Sequence, residues 1–357
     1  MIDPWGNIEI GDYEKAFSEF GLTKFPSEWA SKLNHYLFTR NIIIAHRDFE
    51  KVMQRIKEKK PFIQMTGVAS SGKLHLGHKI NLDLFKFFKT KGARTYLCIA
   101  NIDAYVSRPK IQNMDEANEY AVNNLAHILA YGFTKKDIYL QSKKDNVYYT
   151  FTFELSKKIT EAMFRAVYGH LDLGKASANM LQYADILHPQ LKEYEGKMPS
   201  VTSIGLDQDP HAKLTRDIAK RINYDIEMPS FLYFRHQGGL QKGIKMSSSN
   251  PYSAIYLDDE LKDIKYKIDR SFTGGRDTLE EQKKKGGQPD ICRIYDLYKF
   301  HHPNDRFVVN IYTKCRKGKI LCKECKEKCV NFLNNMLNKH QRKVKKYLPI
   351  ARKMVFG

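Results

Sequence analysis

The stretch that decides the fold is SSGKLHLGHKI, residues 70–80, where an extended segment is predicted to turn into a helix. Its glycines let the backbone approach a ligand closely, and the helix N-terminus offers amide N–H groups and a positive dipole end. His75 and His78 stand one helical turn apart and can donate to phosphate oxygens. The stretch therefore favours a nucleotide site. Taken alone, a glycine turn with two surface histidines explains it equally well, because neither GxxxxGK[ST] nor GxGxxG is present.

Strands are predicted on both sides of this stretch. Residues 61–66 form a short apolar run ended by Gly67, residues 95–100 form another, and a helix with an apolar face lies between them. Strand, helix and strand in this order predict a βαβ unit, and therefore a parallel sheet with a right-handed crossover. Ligands bind at the carboxyl ends of such strands, where residues 67–78 and 101–105 fall.

Other elements are predicted from the same periodicities. Helices are expected over 115–131 and 149–168, and a strand over 199–205 runs into a helix that begins at Asp209. From Leu261 the pattern is helical and basic to the end.

The length of 357 residues exceeds one typical domain, and we predict three parts. Residues 1–60 are an N-terminal extension of helices and connectors, 61–260 a nucleotide-binding domain with inserted helices, and 261–357 a helical domain. No stretch approaches the roughly 20 apolar residues of a membrane span, and no signal peptide is recognised. We therefore expect a cytoplasmic protein without membrane association.

The composition is strongly basic, with 60 Lys and Arg against 40 Asp and Glu, a net charge of +20. Such a surplus favours a polyanionic partner, nucleic acid first, over a merely solvated basic surface. Many cations cluster near the C-terminus: Lys314, Arg316, Lys317, Lys319, Lys323, Lys326, Lys328, Lys339, Arg342, Lys343, Lys345, Lys346, Arg352 and Lys353.

Four of the 6 cysteines, Cys315, Cys322, Cys325 and Cys329, fall within one short basic segment. Four thiolates could hold zinc, but the spacing does not give two separated CxxC pairs. Disulfides are not expected without a secretion signal. Reduced thiols on a helix are favoured over a structural metal site.

A second candidate segment is KMSSS, residues 245–249, in a loop rich in glycine and cations. The Lys245 ammonium and the serine hydroxyl and backbone donors can fold over a triphosphate and neutralise its charge. Alone, this segment is more often an ordinary basic loop. Together, HLGH after the first strand and KMSSS later in the domain resemble the signature pair of class I aminoacyl-tRNA synthetases.

The resemblance extends along the whole chain and is strongest to tryptophanyl-tRNA synthetases of the archaeal and eukaryotic type. It rests on ADILHPQL at 184–191, DQDP at 207–210, LTRD at 214–217, FTGGRDTLEEQ at 272–282 and HQRKVKK at 340–346. The related tyrosyl enzymes share the signature pair and the AY at 104–105, but the DQDP and TGGR segments favour tryptophan.

This resemblance implies an α/β fold, with a class I Rossmann-like parallel sheet followed by a C-terminal all-helical anticodon-binding domain. It implies that ATP activates L-tryptophan to tryptophanyl-adenylate with release of pyrophosphate, that Mg²⁺ bridges the phosphates, and that tRNA(Trp) is then charged. A homodimer is implied as well. The alternatives are a tyrosine–tRNA ligase and a catalytically idle RNA-binding relative, which would have no need of intact HLGH and KMSSS segments.

The resemblance also assigns site residues in three groups. Implied catalytic residues are His75, His78, Lys245, Ser247 and Ser248. Implied ATP-binding residues are Ser71, Gly72, Gly77, Asp207, Met246 and Ser249. Implied residues for the amino acid are Met65, Gly67, Asp103, Gln182 and Gln208.

One departure from the family concerns the indole. Met65 and Cys98 stand where the eukaryotic type has a tyrosine and a glutamine, and neither is an obvious acceptor for the indole N–H. A buried N–H without a partner costs roughly 1–3 kcal/mol, so some polar group must reach it. Gln182 and Asp103 are the candidates, and Met65 and Cys98 are explained equally well as strand core.

Overall fold

The computed structural model describes residues 13–244, 246 and 250–357, with side chains from residue 17 onward. Lys245 and residues 247–249 of the KMSSS segment therefore lie outside the described residues. Seven strands are present in the described part: β1 (Thr23–Lys24), β2 (Ile43–Arg47), β3 (Phe62–Ala69), β4 (Ala93–Ala100), β5 (Ile138–Leu140), β6 (Ser200–Gly205) and β7 (Ser230–Phe234).

All seven strands belong to one sheet in the order β1-β2-β7-β6-β3-β4-β5. The five strands from β7 to β5 run parallel, whereas β2 pairs antiparallel with both β7 and β1. The predicted βαβ unit is confirmed: β3 and β4 pair in parallel along their whole length, and α5 (Leu76–Thr90) connects them. The first strand does not end at Gly67 but continues to Ala69.

The N-terminal region departs from the expectation of helices and connectors, because β1 and β2 lie between its helices and extend the sheet. These helices are α1 (Tyr13–Phe20), α2 (Ser27–Leu33), α3 (Tyr36–Thr39) and α4 (Glu50–Glu58). The run Ile42–Ala45 is fully buried, as a strand covered on both faces requires. The division at residue 61 remains a prediction, but the sheet itself begins before it.

In chain order, the helices between β4 and β7 are α6 (Asn101–Ser107), α7 (Met114–Ala130), α8 (Asn146–Ser156), α9 (Glu161–Tyr168), α10 (Leu173–Leu187) and α11 (Asp209–Ala219). The single helix predicted over 149–168 was wrong. It is two helices, and Thr160 caps the second by accepting a hydrogen bond from the amide of Met163. The helix and strand predicted around 115–131 and 199–205 are confirmed as α7 and β6.

The C-terminal region is helical, as expected: α12 (Leu261–Asp269), α13 (Leu279–Lys285), α14 (Arg293–His301), α15 (Asp305–Arg316) and α16 (Cys322–Phe356). It shares a hydrophobic core with the sheet, in which Leu125 and Leu129 of α7 join Leu333 and Leu337 of α16. None of the helices that the structure describes is long and apolar enough to cross a membrane.

Candidate active site

A cavity of about 800 Å³ opens at the carboxyl ends of β3 and β6, where the strand order reverses. This is where open parallel sheets bind ligands. Every predicted site residue that the structure describes lines this cavity: Met65, Gly67, Ser71, Gly72, His75, Gly77, His78, Asp103, Gln182, Asp207, Gln208 and Met246. The remaining four, Lys245, Ser247, Ser248 and Ser249, lie outside the described residues.

The two histidines of HLGH form a capping box at the start of α5. The Nδ1 atom of His75 accepts from the amide of Gly77, and Nδ1 of His78 accepts from the amide of His75, each at 3.1 Å. The amides of Leu76 and His78 donate to the carbonyls of Ile255 and His75. The expectation that this helix start offers unused N–H groups was therefore wrong, because side chains and neighbouring carbonyls already satisfy them.

This capping box fixes the chemistry of both imidazoles. Since each Nδ1 accepts a hydrogen bond, a neutral ring carries its proton on Nε2. Burial lowers the pKa of His78 to about 4, so this ring is neutral near pH 7. His78 can therefore offer a phosphate an N–H donor but not a positive charge.

The two signature segments meet at Gly77. A Cβ at this position would lie 2.8 Å from Cε1 of His75, which only glycine avoids, and 3.7 Å from Cβ of Met246. The chain that follows the KMSSS segment also pairs with the start of α5, because Leu257 donates its amide to the carbonyl of Leu74. HLGH and the described methionine of KMSSS thus belong to one wall.

The two predicted carboxylates stand in different surroundings. Asp207 is buried, and its Oδ1 lies 2.6 Å from Nε2 of His236. Asp103 accepts from the hydroxyl of Ser107 at 2.8 Å. Desolvation raises the pKa of Asp103, so a cation bound beside it would favour the ionised form.

A third carboxylate, Asp185 on α10, also lines the cavity and is 3% exposed. The hydroxyls of Tyr139 and Tyr148 donate to its Oδ1 at 2.7 Å each. The Gln141 amide donates to its Oδ2 at 2.8 Å, and the Cys98 thiol lies 3.5 Å from the same atom. Burial raises the pKa of Asp185 to about 6 despite these donors.

The family model described as tRNA synthetases class I (W and Y) matches residues 57–338. The chain belongs to this family. It is 39% identical to the tryptophan–tRNA ligase of Aeropyrum pernix over 99% of this chain and 97% of that protein. It is also 39% identical to the tryptophan–tRNA ligase of Methanocaldococcus jannaschii, over 95% of each chain. The crystal structure of the A. pernix tryptophanyl-tRNA synthetase superposes with a TM-score of 0.89, at 38% identity over 99% and 98% of the two chains.

Sequence reasoning missed several polar groups of this synthetase cavity. Asn81 Oδ1, Asn179 Nδ2, Ser203 Oγ and Gln237 Nε2 are buried, line the cavity and have no hydrogen-bond partner among the described residues. Buried polar atoms are normally paired, so these four are available to a bound substrate. Asp185 lies within the quoted ADILHPQL segment, but its burial depends on distant residues, and a single sequence carries no signal for that.

Proposed function

We propose that this synthetase is a tryptophan–tRNA ligase that activates L-tryptophan with ATP and transfers it to tRNA(Trp). The observation that carries the proposal is the contact between the two signature segments, in which Met246 lies beside Gly77 in the lining of a cavity large enough for both substrates. Full-length likeness to tryptophan ligases supports tryptophan over tyrosine.

In the proposed amino-acid end, Asp185 accepts the indole N–H. The other two cavity carboxylates are better suited to other partners. Asp207 already faces His236, and the raised pKa of Asp103 would be lowered by the ammonium group of the amino acid. A carboxylate has about four lone-pair directions, and at Asp185 the weakest donor is the Cys98 thiol, which would give way to an indole N–H. Gln182 and Gln208 would then contact the substrate backbone.

In the proposed nucleotide end, the tryptophan carboxylate oxygen attacks the α-phosphorus of ATP, and the bond to the bridging oxygen of pyrophosphate breaks. Negative charge then moves onto the leaving pyrophosphate. The Nε2–H groups of His75 and His78 donate to phosphate oxygens, and the Lys245 ammonium with Ser247 and Ser248 neutralises the leaving group. Ser71, Gly72, Gly77, Asp207, Met246 and Ser249 would hold adenosine and the phosphates.

Mg²⁺ is proposed to enter with ATP. Among the described residues, no three His, Cys, Asp or Glu side chains are placed to share one metal ion. Phosphate oxygens would therefore be its main ligands, as is usual for Mg²⁺.

The second step would bring the terminal ribose of tRNA to the adenylate. A ribose hydroxyl attacks the activated carbonyl, and AMP leaves. Helices α15 and α16 and the connection between them carry the C-terminal cations, nearly all of them exposed, and would contact the phosphates of the anticodon arm. By the family resemblance we also propose a homodimer, to be checked by analytical ultracentrifugation.

ATP–pyrophosphate exchange with each of the twenty amino acids tests the proposal. Exchange with tryptophan alone is expected. Exchange with tyrosine alone would establish the tyrosine ligase instead, and no exchange together with tRNA binding would establish the idle RNA-binding relative.

A further inference from the structure

A glutamine beyond the end of β7 brings a side-chain amide to the cavity. Gln237 lies three residues after β7 ends at Phe234, lines the cavity and is 3% exposed. Its Nε2 atom has no hydrogen-bond partner among the residues that the structure describes. Given the proposed use of ATP, we propose that this Nε2–H group donates to a ring nitrogen of adenine and that His301, on α14, orients it. Gln237 thereby selects the nucleotide.

The oxygen of this amide is held by the C-terminal helical region. Nε2 of His301 lies 2.8 Å from Oε1 of Gln237, and His301 is 4% exposed. Because an amide oxygen can only accept, the His301 ring carries its proton on Nε2. Burial lowers the pKa of His301 well below its usual range, so the ring is neutral near pH 7. The hydrogen bond therefore keeps Oε1 of Gln237 on α14 and leaves the opposite atom, a donor, for a ligand.

Helix α14 contacts the same segment a second time. A Cβ on Gly238 would lie 2.0 Å from Nη1 of Arg293, so this guanidinium occupies the space that a side chain would fill. Arg293 is the first residue of α14 and His301 is the last. The two ends of one helix therefore contact two consecutive residues, Gln237 and Gly238, which keeps the amide in one position.

The backbone of Gln237 also contacts the KMSSS methionine. The amide of Met246 donates to the carbonyl of Gln237 at 3.3 Å, and Met246 is 6% exposed. Met246 lies beside Gly77, and both are among the residues proposed to hold adenosine. In the sheet, Gln237 follows β7, whereas Asp185, the proposed acceptor of the indole N–H, contacts β4 and β5. Gln237 therefore belongs to the adenosine end of the cavity.

Adenine offers the acceptor that this donor requires. Its ring nitrogens N1, N3 and N7 accept hydrogen bonds, whereas its exocyclic amino group donates. Phosphate oxygens are better matched by charged donors, and Gln237 is neutral. If the amide were reversed, its oxygen would face the base and repel the ring nitrogens. The hydrogen bond from His301 therefore decides whether Gln237 attracts or repels adenine.

The test is calorimetric binding of ATP and of its 1-deaza, 3-deaza and 7-deaza analogues to the full-length protein. One analogue should bind roughly 10- to 100-fold more weakly than ATP, because it leaves a buried N–H group without an acceptor. Gln237→Met removes the donor, so it should weaken ATP binding about 10-fold and bind ATP and that analogue with similar affinity. The matched control is Gln241→Met, the same change at an exposed position of the same loop, which should keep the wild-type preference.

The positioning role of His301 is tested with the same nucleotides. His301→Phe removes the donor to Oε1, so the preference for ATP over the discriminating analogue should largely disappear while the KM for tryptophan stays unchanged. His301→Gln should restore the preference, because its amide can donate in place of the imidazole. The control is His302→Phe, since the neighbouring ring stacks on Phe307 with centroids 4.1 Å apart, and this variant should behave as wild type.

Three outcomes would overturn the proposal: equal binding of ATP and all three analogues by wild type, the same preference in wild type and Gln237→Met, or an unchanged preference in His301→Phe. Circular dichroism shows whether His301→Phe has folded. If it has not, His301→Asn replaces it, because the shorter amide is accommodated but does not reach Oε1. Calorimetry requires no amino acid, so a failure of tryptophan-dependent exchange would refute the proposed ligase function and leave this result intact.

Discussion

The two walls of the cavity hold their polar groups in different ways. On the wall at the start of α5, His75 and His78 bond to amides within the same helical turn, so sequence neighbours fix the geometry. On the wall formed by α10, Asp185 takes its hydrogen bonds from residues 37 to 87 positions away. One wall is therefore a local motif, and the other exists only when the whole sheet has formed.

Because of this difference, the two walls are suited to different chemical roles. The α5 wall carries two imidazoles whose Nε2 atoms can donate, which suits charge that develops during the reaction. The α10 wall holds a desolvated carboxylate among donors that are already in place, which suits selection of a ligand that brings its own N–H. Substitutions on the two walls should consequently affect different kinetic constants.

The largest effect is expected for Lys245→Ala. Loss of the ammonium that neutralises pyrophosphate should lower tryptophan-dependent exchange on the order of 10²- to 10³-fold. The control is Lys242→Ala in the same loop, whose ammonium lies 5.6 Å from the ring of Phe272. It should change exchange little, and filter binding of tRNA should be similar for both variants. Similar exchange rates for the two variants would refute the role of Lys245.

The next effect concerns the other wall. Asp185→Asn should raise the KM for tryptophan by roughly 10- to 100-fold, because the N–H of indole would lose its charged acceptor at a cost of about 1–3 kcal/mol. The KM for ATP should stay unchanged. Tyr139→Phe removes one donor to Asp185 without removing the carboxylate, so its effect should be smaller. An increase confined to the KM for ATP would show that Asp185 contacts ATP and not tryptophan.

The pH dependence of tryptophan binding should report the same carboxylate. Because burial raises the pKa of Asp185 to about 6, the KM for tryptophan should rise as the pH falls through 6 and this acceptor is protonated. In Asp185→Asn this inflection should disappear, which steady-state kinetics between pH 5 and 8 would detect.

The free energy of unfolding should change with pH in the direction opposite to tryptophan binding, rising as the pH falls. The pKa of Asp185 is higher in the folded state than its ordinary value of 3.8, so the stabilisation that this group contributes is greatest below pH 3.8 and is lost as the pH rises through 6. The difference between a pKa of 3.8 and one of about 6 corresponds to about 3 kcal/mol in the free energy of unfolding. Urea unfolding of wild type and Asp185→Asn at several pH values measures it, and a pH-independent difference would contradict the assignment.

The smallest effect is expected at the capping box. His78→Ala leaves the His75 amide without its acceptor and should lower the free energy of unfolding by about 1 kcal/mol. His78→Gln is the matched variant, since glutamine at this capping position can restore the bond. If Nε2–H of His78 donates to phosphate, His78→Gln should recover the melting temperature but not the exchange rate. Recovery of both the melting temperature and the exchange rate would show that His78 acts only as a helix cap.

The contrast between the α5 wall and the α10 wall also explains which parts of the site the sequence predicts. The βαβ unit and the histidine pair depend on residues close in the chain, so residues 61–100 suffice to predict both. The Asp185 environment depends on contacts between distant segments, which periodicity does not reveal. Strand β2 was missed for a related reason, because its continuous apolar run becomes a strand only by pairing with β7.

Helix α16 contacts widely separated parts of the molecule along its length. Its 35 residues extend about 50 Å, and Arg352 near its end forms two hydrogen bonds with Glu119. Midway, His340 contacts His127, whose other ring nitrogen holds Asp258 at 2.8 Å. Asp258 in turn lies 3.7 Å from the ammonium of Lys73, within the loop that leads into HLGH. A nucleic acid that displaces this helix along its axis would thus also displace Lys73, which lies two positions before His75.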